Sequence, residues 1–210
     1  MNIIENLKWR YATKKFDSSR KVEDEKIELL KQAIQLSASS IGLQPYVVLE
    51  VKNPEIRKQL QAVTWGQPQV VDASHLFVFC NMTSLSPEYV EACAELHRSE
   101  RNADEASKMQ FKAIADKILT EKTPEEQKAW SEAETFIAVG TALAACAEMH
   151  IDSCPMGGFS ATDYNRILGL DEKGLNAALV LPIGYRSAED KMQYAKKVRK
   201  PASMLFAEIK

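Results

Sequence analysis

The stretch "HLFVFCNM", residues 75–82, decides the fold class of this chain. It is apolar almost throughout, which is typical of a β-strand that other elements cover on both faces. Most other segments of the chain have helical patterns, so the covering elements are expected to be helices. The stretch therefore predicts a small central sheet with helices packed around it.

Further strands are predicted on either side of this stretch. "YVVLEV" (46–51) and "NAALVLPIGY" (176–185) are rich in residues that favour extended backbone, and "IDSCPMGGF" (151–159) indicates a short strand that runs into a Gly-Gly loop. Helical signals cover the segments 2–12, 23–36, 54–63, 87–119 and 124–150. Helices thus outnumber strands and separate them, so the class is α+β or α/β, and the order of the strands stays open.

Composition sets wide limits on function. The chain has 210 residues, of which 45% are hydrophobic and 27% are charged, and its formal net charge is -2. These values are typical of one globular domain, here residues 1–210, and they argue against a disordered or disulfide-rich chain. The near balance of charge makes nucleic acid an unlikely general partner. The longest uncharged run, residues 135–147, is short of the ~20 residues that cross a bilayer, so a cytoplasmic protein is expected.

Two Cys–His pairs have a spacing that a metal site could use. Cys93 and His97, and likewise Cys146 and His150, are four residues apart, which places both side chains of a pair on one helix face. The neighbouring residues are apolar, however, and buried structural cysteines are the simpler interpretation. We therefore predict no metal site.

The common catalytic motifs are missing from the sequence. It has no Gly-rich dinucleotide or phosphate-binding loop, no nucleophile elbow and no zinc-protease helix, and its three histidines form no recognisable triad. If the protein is an enzyme, a cofactor is expected to supply the chemistry.

Two clusters of basic residues lie at opposite ends of the chain. Arg10 and Lys14 belong to "RYATKK", and Lys197 and Arg199 belong to "KKVRK". Chain ends often lie close together in a domain, so these side chains could converge on one phosphate group. The alternative is solvated surface charge. Uncharged polar loops at 37–45 and 66–69, and the glycines 157 and 158, could contact the remainder of a ligand.

Taken together, these motifs resemble the nitroreductase family of FMN-dependent NAD(P)H oxidoreductases. The resemblance covers essentially the whole chain and rests on the order of its motifs: "RYATKKFD" (10–17), "SASSIGLQPY" (37–46), "QVVDASHLFVF" (69–79), "CPMGGF" (154–159), "ALVLPIGYRSAED" (178–190) and "KKVRKP" (196–201). It implies an α+β fold with a small, mainly antiparallel central sheet surrounded by helices, and an intertwined homodimer.

The resemblance also implies which residues bind the cofactor. The phosphate and ribityl end of FMN would lie against Arg10, Tyr11, Ala12, Lys14, Lys197 and Arg199. The flavin of the partner subunit would be reached by a loop that contains Ala38, Ser39, Ser40 and Gly42. The side-chain amides of Gln67 and Gln69 would hold the pyrimidine edge, and the N5 side would face the backbone turn of Pro155, Met156, Gly157 and Gly158.

The activity implied by the resemblance is a two-step hydride transfer. NADH or NADPH would reduce the flavin at N5 and leave, and a nitroaromatic, a quinone or a similar electron-poor acceptor would then be reduced; no catalytic side chain is required. Alternatives are a pteridine, an enone or free flavin as acceptor, with a specificity lid in residues 97–108, or a flavin-free dimeric protein that binds another anion. Relatives usually carry a small hydroxyl residue at Ala12, and many carry asparagine at Gly42 and an acidic residue at Gly157.

Overall fold

A four-stranded sheet forms the centre of the computed structural model, which describes residues 3–209. The strands are β1 (Tyr46–Glu50), β2 (His75–Met82), β3 (Asp152–Ser153) and β4 (Leu175–Gly184). Their order is β1-β2-β4-β3, and every neighbouring pair is antiparallel. The prediction of a small antiparallel central sheet is confirmed.

Helices surround the sheet and account for most of the regular structure. They are α1 (Ile3–Trp9), α2 (Asp24–Gln35), α3 (Pro54–Ala62), α4 (Gln69–Asp72), α5 (Pro87–Glu100), α6 (Glu105–Thr120), α7 (Pro124–Glu148), α8 (Ala161–Leu168) and α9 (Ala202–Leu205). Short 3-10 turns lie at Ser40–Gly42, Asp171–Lys173 and Lys191–Tyr194. No helix within residues 3–209 combines the length and the hydropathy that a membrane crossing requires.

Strand β2 has a hydrophobic cluster on each of its faces. Leu76 and Val78 pack into a cluster with side chains of α3 and α8. Phe77 and Phe79 point the other way, into a cluster with side chains of α2 and α7. Because successive strand residues alternate between faces, a strand with helices on both sides is expected to be apolar at nearly every position. The prediction from residues 75–82 is confirmed.

Helix α7 begins where its sequence predicts. The Thr123 hydroxyl accepts the backbone N–H of Glu126 at 3.3 Å, and the Glu126 carboxylate accepts the Thr123 N–H at 2.8 Å, which is a reciprocal capping box. Pro124 occupies the first turn, where its missing N–H costs nothing. This helix contributes to the cluster behind β2 and also exposes Gly140 on its outer side.

The predicted helix 2–12 is shorter in the structure, and its first residue lies outside the described residues. Helix α1 ends at Trp9, and its apolar residues Ile3 and Leu7 are exposed rather than buried. The chain then becomes extended, because the Thr13 N–H donates to the Ser153 carbonyl at 3.3 Å beside β3. This pairing lays residues 10–17 along the end of the sheet, where no local sequence signal would place them.

The space around Gly184 and Gly157 shows that packing is tight at one of these glycines and open at the other. A Cβ atom at Gly184 would lie 3.0 Å from the Phe16 ring and 3.1 Å from the backbone nitrogen of Ser74, whereas a Cβ at Gly157 would have no neighbour within 4 Å. We expect Gly184→Ala to lower the free energy of unfolding by about 1–3 kcal/mol and Gly157→Ala to change it by less than about 0.5 kcal/mol. Urea denaturation of both variants measures the difference, and equal effects would contradict the packing described here.

Candidate functional site

A cleft of about 540 Å³ lies between the N-terminal segment and the C-terminal tail. Its walls come from residues 8–14, from Pro155 and from residues 192–199. The cleft therefore brings together seven of the residues predicted to bind the cofactor, namely Arg10, Tyr11, Ala12, Lys14, Pro155, Lys197 and Arg199. The two basic clusters, far apart in sequence, share one concave surface.

The buried carboxylate of Asp190 holds the N-terminal segment against the tail. One oxygen accepts the backbone N–H groups of Lys14 at 2.8 Å and Lys15 at 3.2 Å and the Tyr11 hydroxyl at 2.9 Å. The other oxygen accepts the Met192 N–H at 3.0 Å, and the residue is only 3% exposed. Asp190 thus joins the segment that carries Arg10 and Lys14 to the segment that leads to Lys197.

These bonds also decide the charge of Asp190. Burial raises the pKa of this carboxyl, but the N–H groups of Lys14, Lys15 and Met192 and the Tyr11 hydroxyl outweigh burial and hold the pKa below the ordinary value of 3.8. The carboxylate is therefore ionised near neutral pH, with most of its lone pairs occupied. It can lie beside an anion site because the backbone N–H groups that donate to it compensate its negative charge.

Sequence reasoning did not identify Asp190 as a site residue. The available signal was its place at the end of "ALVLPIGYRSAED", directly before the basic tail.

Arg186 holds the outer side of the same segment. Its guanidinium lies over the Trp9 ring at 4.3 Å and over the Tyr11 ring at 4.6 Å from the ring centres. Its Nε donates to the buried Asp152 carboxylate at 2.7 Å. Because Trp9 and Tyr11 flank Arg10 in sequence, these contacts fix the backbone from which the Arg10 side chain extends.

The ammonium group of Lys197 caps the C-terminal end of helix α1. The Nζ atom donates to the carbonyl oxygens of Leu7 and Arg10 and, at 3.1 Å, to that of Lys8. A cation at the C-terminal end of a helix satisfies carbonyls that have no intrahelical partner. Burial, and then the charges of Arg10 and Arg199, lower the pKa of Lys197. Its contribution to the cleft in this structure is to position the backbone around Arg10.

Arg10 carries a buried polar atom without a partner in the described part of the chain. Within residues 3–209, its Nε atom is enclosed and has no hydrogen-bond acceptor. Burial, and then the charge of Arg199, lower the pKa of Arg10. A buried donor without an acceptor, close to a second cation, is unfavourable unless an anion binds there. The arrangement around Arg10 fits a phosphate group.

A second polar region lies where the turn 155–158 leaves the sheet. The Met156 backbone pairs with Val180 of β4, and the Gln67 side-chain amide then donates to the Gly158 carbonyl at 3.3 Å. Gln69 is 4% exposed, and its side-chain oxygen has no partner among the described residues. The structure thus places the predicted Gln67 beside the predicted turn and leaves Gln69 with an unused acceptor.

Trp65 is a residue of this region that sequence reasoning missed. Its ring covers Gly158, so that a Cβ atom there would lie 2.5 Å from the indole, although the side chain is 80% exposed. Its backbone φ of 53° is unfavourable for a bulky aromatic residue. Gly157 in the same turn is open. Trp65 therefore forms a wall on one side of the turn.

Arg57 holds the segment that carries Gln67 and Gln69. It is 8% exposed and donates to the carbonyls of Val70 at 2.8 Å and Ala73 at 2.6 Å, and burial lowers its pKa. We expect Arg57→Met to lower the free energy of unfolding by about 2–4 kcal/mol, because buried carbonyls lose charge-assisted donors. Urea denaturation measures the change against Lys58→Met as a control, since the exposed Lys58 side chain pairs with the exposed Glu55; similar losses in both variants would refute this role.

The predicted loop 38–42 lies apart from the cleft around Arg10. Gly42 lines a separate cavity of about 170 Å³ together with Cys93, His97 and Phe111. Ala38, Ser39 and Ser40 lie beside it in the same loop. Within this protomer, the structure therefore does not bring this group of predicted residues to the other predicted cofactor ligands.

The two Cys–His pairs have separate environments. The His97 ring lies 4.7 Å from the Phe111 ring, and the His150 ring lies 4.8 Å from the Trp9 ring, between ring centres. Cys146 is buried in the cluster behind β2. Among residues 3–209, no group of three His, Cys, Asp or Glu side chains is placed to hold a metal ion.

Comparison with known proteins gives consistent matches over most of the chain. The model of the nitroreductase family matches residues 7–185. The "Putative NAD(P)H nitroreductase YfkO" of Bacillus subtilis is 33% identical over 202 residues, covering 88% of each chain. A "Putative NAD(P)H nitroreductase" of Staphylococcus aureus is 31% identical over 195 residues, covering 89% of this chain and 87% of the relative.

Solved structures show the same fold at lower identity. The putative nitroreductase ydfN of Bacillus subtilis superposes with a TM-score of 0.88 at 16% identity, over 98% of both chains. A putative nitroreductase in complex with FMN from Exiguobacterium sibiricum gives a TM-score of 0.85 at 18% identity, over 100% of this chain and 98% of that chain. The sheet and helices described above are thus a nitroreductase-like fold, and with the family match over residues 7–185 this chain belongs to the nitroreductase family.

Proposed function

We propose that the protein is an FMN-dependent NAD(P)H oxidoreductase that reduces nitroaromatics, quinones or similar electron-poor acceptors. One observation carries this proposal: both basic clusters and the start of the turn 155–158 line a single cleft, and the Nε atom of Arg10, one of its lining residues, is buried without an acceptor among the described residues. The names of the relatives, which describe NAD(P)H nitroreductases, agree with it.

The residues present fit FMN in charge and in polarity. Arg10, Lys14 and Arg199 supply cationic groups for the phosphate, and the backbone of Tyr11 and Ala12 lies in the same wall. Gln69 offers a buried side-chain oxygen without a partner among the described residues, and Gln67 lies two residues before it in the chain, so both suit the N–H and carbonyl groups at the edge of a flavin. Pro155, Met156, Gly157 and Gly158 form a turn whose open glycine lets a flat ring approach the backbone.

The chain's own residues would bind and orient rather than react. When bound, FMN would supply hydride transfer between the nicotinamide and the acceptor. Lys14 and Arg199 would offset the negative charge of the cofactor, and Lys197 would hold the carbonyl of Arg10 in place. The Gly157 and Gly158 amides would donate towards the flavin, and Trp65 would restrict access from one side. The protein would thus contribute position and electrostatics, and no side-chain base is needed.

We also propose that the protein acts as a homodimer. Several large apolar side chains are exposed in the protomer, namely Ile3, Leu7, Leu36, Phe136, Ile137, Met204, Leu205 and Phe206. They lie on α1, on α7, at the end of α2 and in the tail, and the exposed Gly140 on α7 has open space beside it. Exposed apolar surface of this kind is typical of protein interfaces. A dimer would also let the loop 38–42 reach the flavin of the partner.

The decisive experiment is the spectrum of the purified protein. We expect a yellow protein that releases FMN on denaturation, sediments as a dimer and consumes NADH or NADPH when an acceptor is present. A colourless protein that neither binds added FMN nor oxidises NAD(P)H would refute the proposal and favour a dimeric protein that binds another anion.

A panel of acceptors would define the substrate class. Nitroaromatics, quinones, a pteridine, an enone and free flavin should be compared at one NAD(P)H concentration. Residues 97–108, which include the end of α5 and the start of α6, lie beside the cavity at Gly42 and are the proposed lid for the acceptor. We place the reaction in the cytoplasm, where NAD(P)H is available.

A further inference from the structure

Glu134 on helix α7 is a buried carboxylate that the proposed reaction does not use. It is 6% exposed, and both of its oxygens accept hydrogen bonds from Ser40. One accepts the Ser40 backbone N–H at 2.9 Å, and the other accepts the Ser40 hydroxyl. Among residues 3–209, no Lys, Arg or His lies close enough to Glu134 to form an ion pair. The carboxylate therefore depends on Ser40 for its stabilisation.

Burying a carboxylate without a neighbouring cation costs free energy. The two oxygens of Glu134 offset part of this cost by accepting two hydrogen bonds from one residue, Ser40. Ser40 presents two donors, its N–H and its O–H, and an ionised carboxylate can accept both at once. A glutamine of nearly the same shape offers one acceptor oxygen, and its NH2 group could meet the Ser40 hydroxyl only as a neutral donor. Charge-assisted hydrogen bonds are also the stronger kind. The chemistry of Glu134 thus matches the task of holding Ser40 better than a neutral residue would.

Residues 39–44, the loop segment that contains Ser40, have a strained backbone. Ile41 has a φ of 48° and Gln44 a φ of 45°, a left-handed conformation that is unfavourable for a β-branched residue above all. Such conformations persist only where the surroundings impose them. Here the Ser39 hydroxyl accepts the Gln44 N–H at 3.0 Å, and the Tyr89 hydroxyl donates to the Leu43 carbonyl at 2.8 Å. Glu134 provides the contact at the other end of the loop.

From these contacts we infer that Glu134 is a positioning residue of the cofactor site. It holds residues 39–44, through Ser40, in the strained conformation that presents the loop to the flavin of a partner subunit. The inference rests on the proposed function, in which this loop contacts FMN. It also assigns the Ser40 hydroxyl proton to Glu134, so that Ser40 acts through the backbone rather than as a donor to the flavin.

A double-mutant cycle on Glu134 and Ser40 tests the inference. Apoprotein is prepared for the wild type, Glu134→Gln, Ser40→Ala and the double variant, and FMN affinity is measured by the quenching of flavin fluorescence. We expect each single variant to bind FMN about tenfold more weakly, as for the loss of one charge-assisted hydrogen bond, and the double variant to bind no more weakly than the singles. Glu132→Gln, a partly buried position two residues away on α7, should bind as the wild type does.

Hydrogen exchange of the apoprotein gives a readout that does not depend on FMN. The Ser40 amide should exchange faster in Glu134→Gln than in Glu132→Gln. Unchanged FMN affinity in Glu134→Gln, additive losses in the double variant, or an unchanged exchange rate at Ser40 would each overturn the inference. A wild-type protein that binds no FMN would instead refute the proposed function, and the exchange rates would still show whether Glu134 holds the loop.

Discussion

Asp190→Ala is expected to lower the free energy of unfolding by about 2–4 kcal/mol and to abolish measurable FMN binding at micromolar concentrations. The substitution leaves the N–H groups of Lys14, Lys15 and Met192 and the hydroxyl of Tyr11 without their shared acceptor. The segment 10–15 would then separate from the tail, and the cleft would lose its shape. Thermal unfolding with and without FMN measures both effects.

Glu189→Gln is the matched control for Asp190. Glu189 is the preceding residue, is exposed, and pairs with the exposed Lys15 side chain. Exposed ion pairs contribute little to stability, so this variant should unfold and bind FMN as the wild type does. Equal effects of the two substitutions would show that general charge, rather than the bonds of Asp190, supports the cleft.

The pH dependence of stability gives an independent test of Asp190. Its pKa in the folded protein lies below the ordinary value of 3.8, so the carboxylate stabilises the folded state above that pH. This stabilisation is lost as the pH falls through the folded pKa. Asp190→Asn should therefore be less stable than the wild type at pH 7, and the difference should become smaller towards pH 3. A constant difference over this range would contradict the assignment.

Arg10→Gln is expected to weaken FMN binding by about 10–100-fold at moderate salt, the effect of losing a charge-assisted pair with a phosphate. The unliganded variant should be as stable as the wild type or more stable, because the enclosed Nε atom has no acceptor among residues 3–209 and Arg199 adds an unfavourable charge. Fluorescence titration with FMN and thermal unfolding of the apoprotein measure the two effects.

Lys15→Gln is the control for Arg10. Lys15 belongs to the same basic cluster, but its side chain turns to Glu189 on the surface. We expect its FMN affinity to stay within about twofold of the wild type. An equal loss in both variants would indicate that the overall positive charge attracts FMN, and the assignment of Arg10 as a phosphate ligand would be wrong.

The loss of FMN affinity and the unchanged or higher stability of the apoprotein that we expect for Arg10→Gln have a common physical cause. Cations held close together without an anion destabilise the empty cleft, and the same arrangement is favourable once a phosphate is bound. Bound FMN should therefore raise the unfolding temperature of the wild type by more than that of Arg10→Gln.

Local sequence patterns were sufficient for the fold class and for the positive charge that the cleft carries. The nearly continuous apolar run of residues 75–82 predicts a doubly covered strand, and Thr123 with Pro124 predicts the start of α7, because both depend only on near neighbours. The order of the quoted motifs was sufficient for the family, which the comparisons confirm. The residues of the cofactor site stay a prediction, although the cleft brings seven of them together.

Tertiary structure decided how those residues are used. Asp190 meets the backbone of Lys14 from 176 positions away, Lys197 gives its ammonium to carbonyls at the end of α1, and Glu134 holds Ser40 from a helix 94 positions away. No local pattern contains these pairings, because each depends on which donors and acceptors the folded chain buries together. The sequence by itself thus determined the fold class and the basic character of the site, and long-range hydrogen bonding decided which side chains stay available to a ligand and which hold the backbone in place.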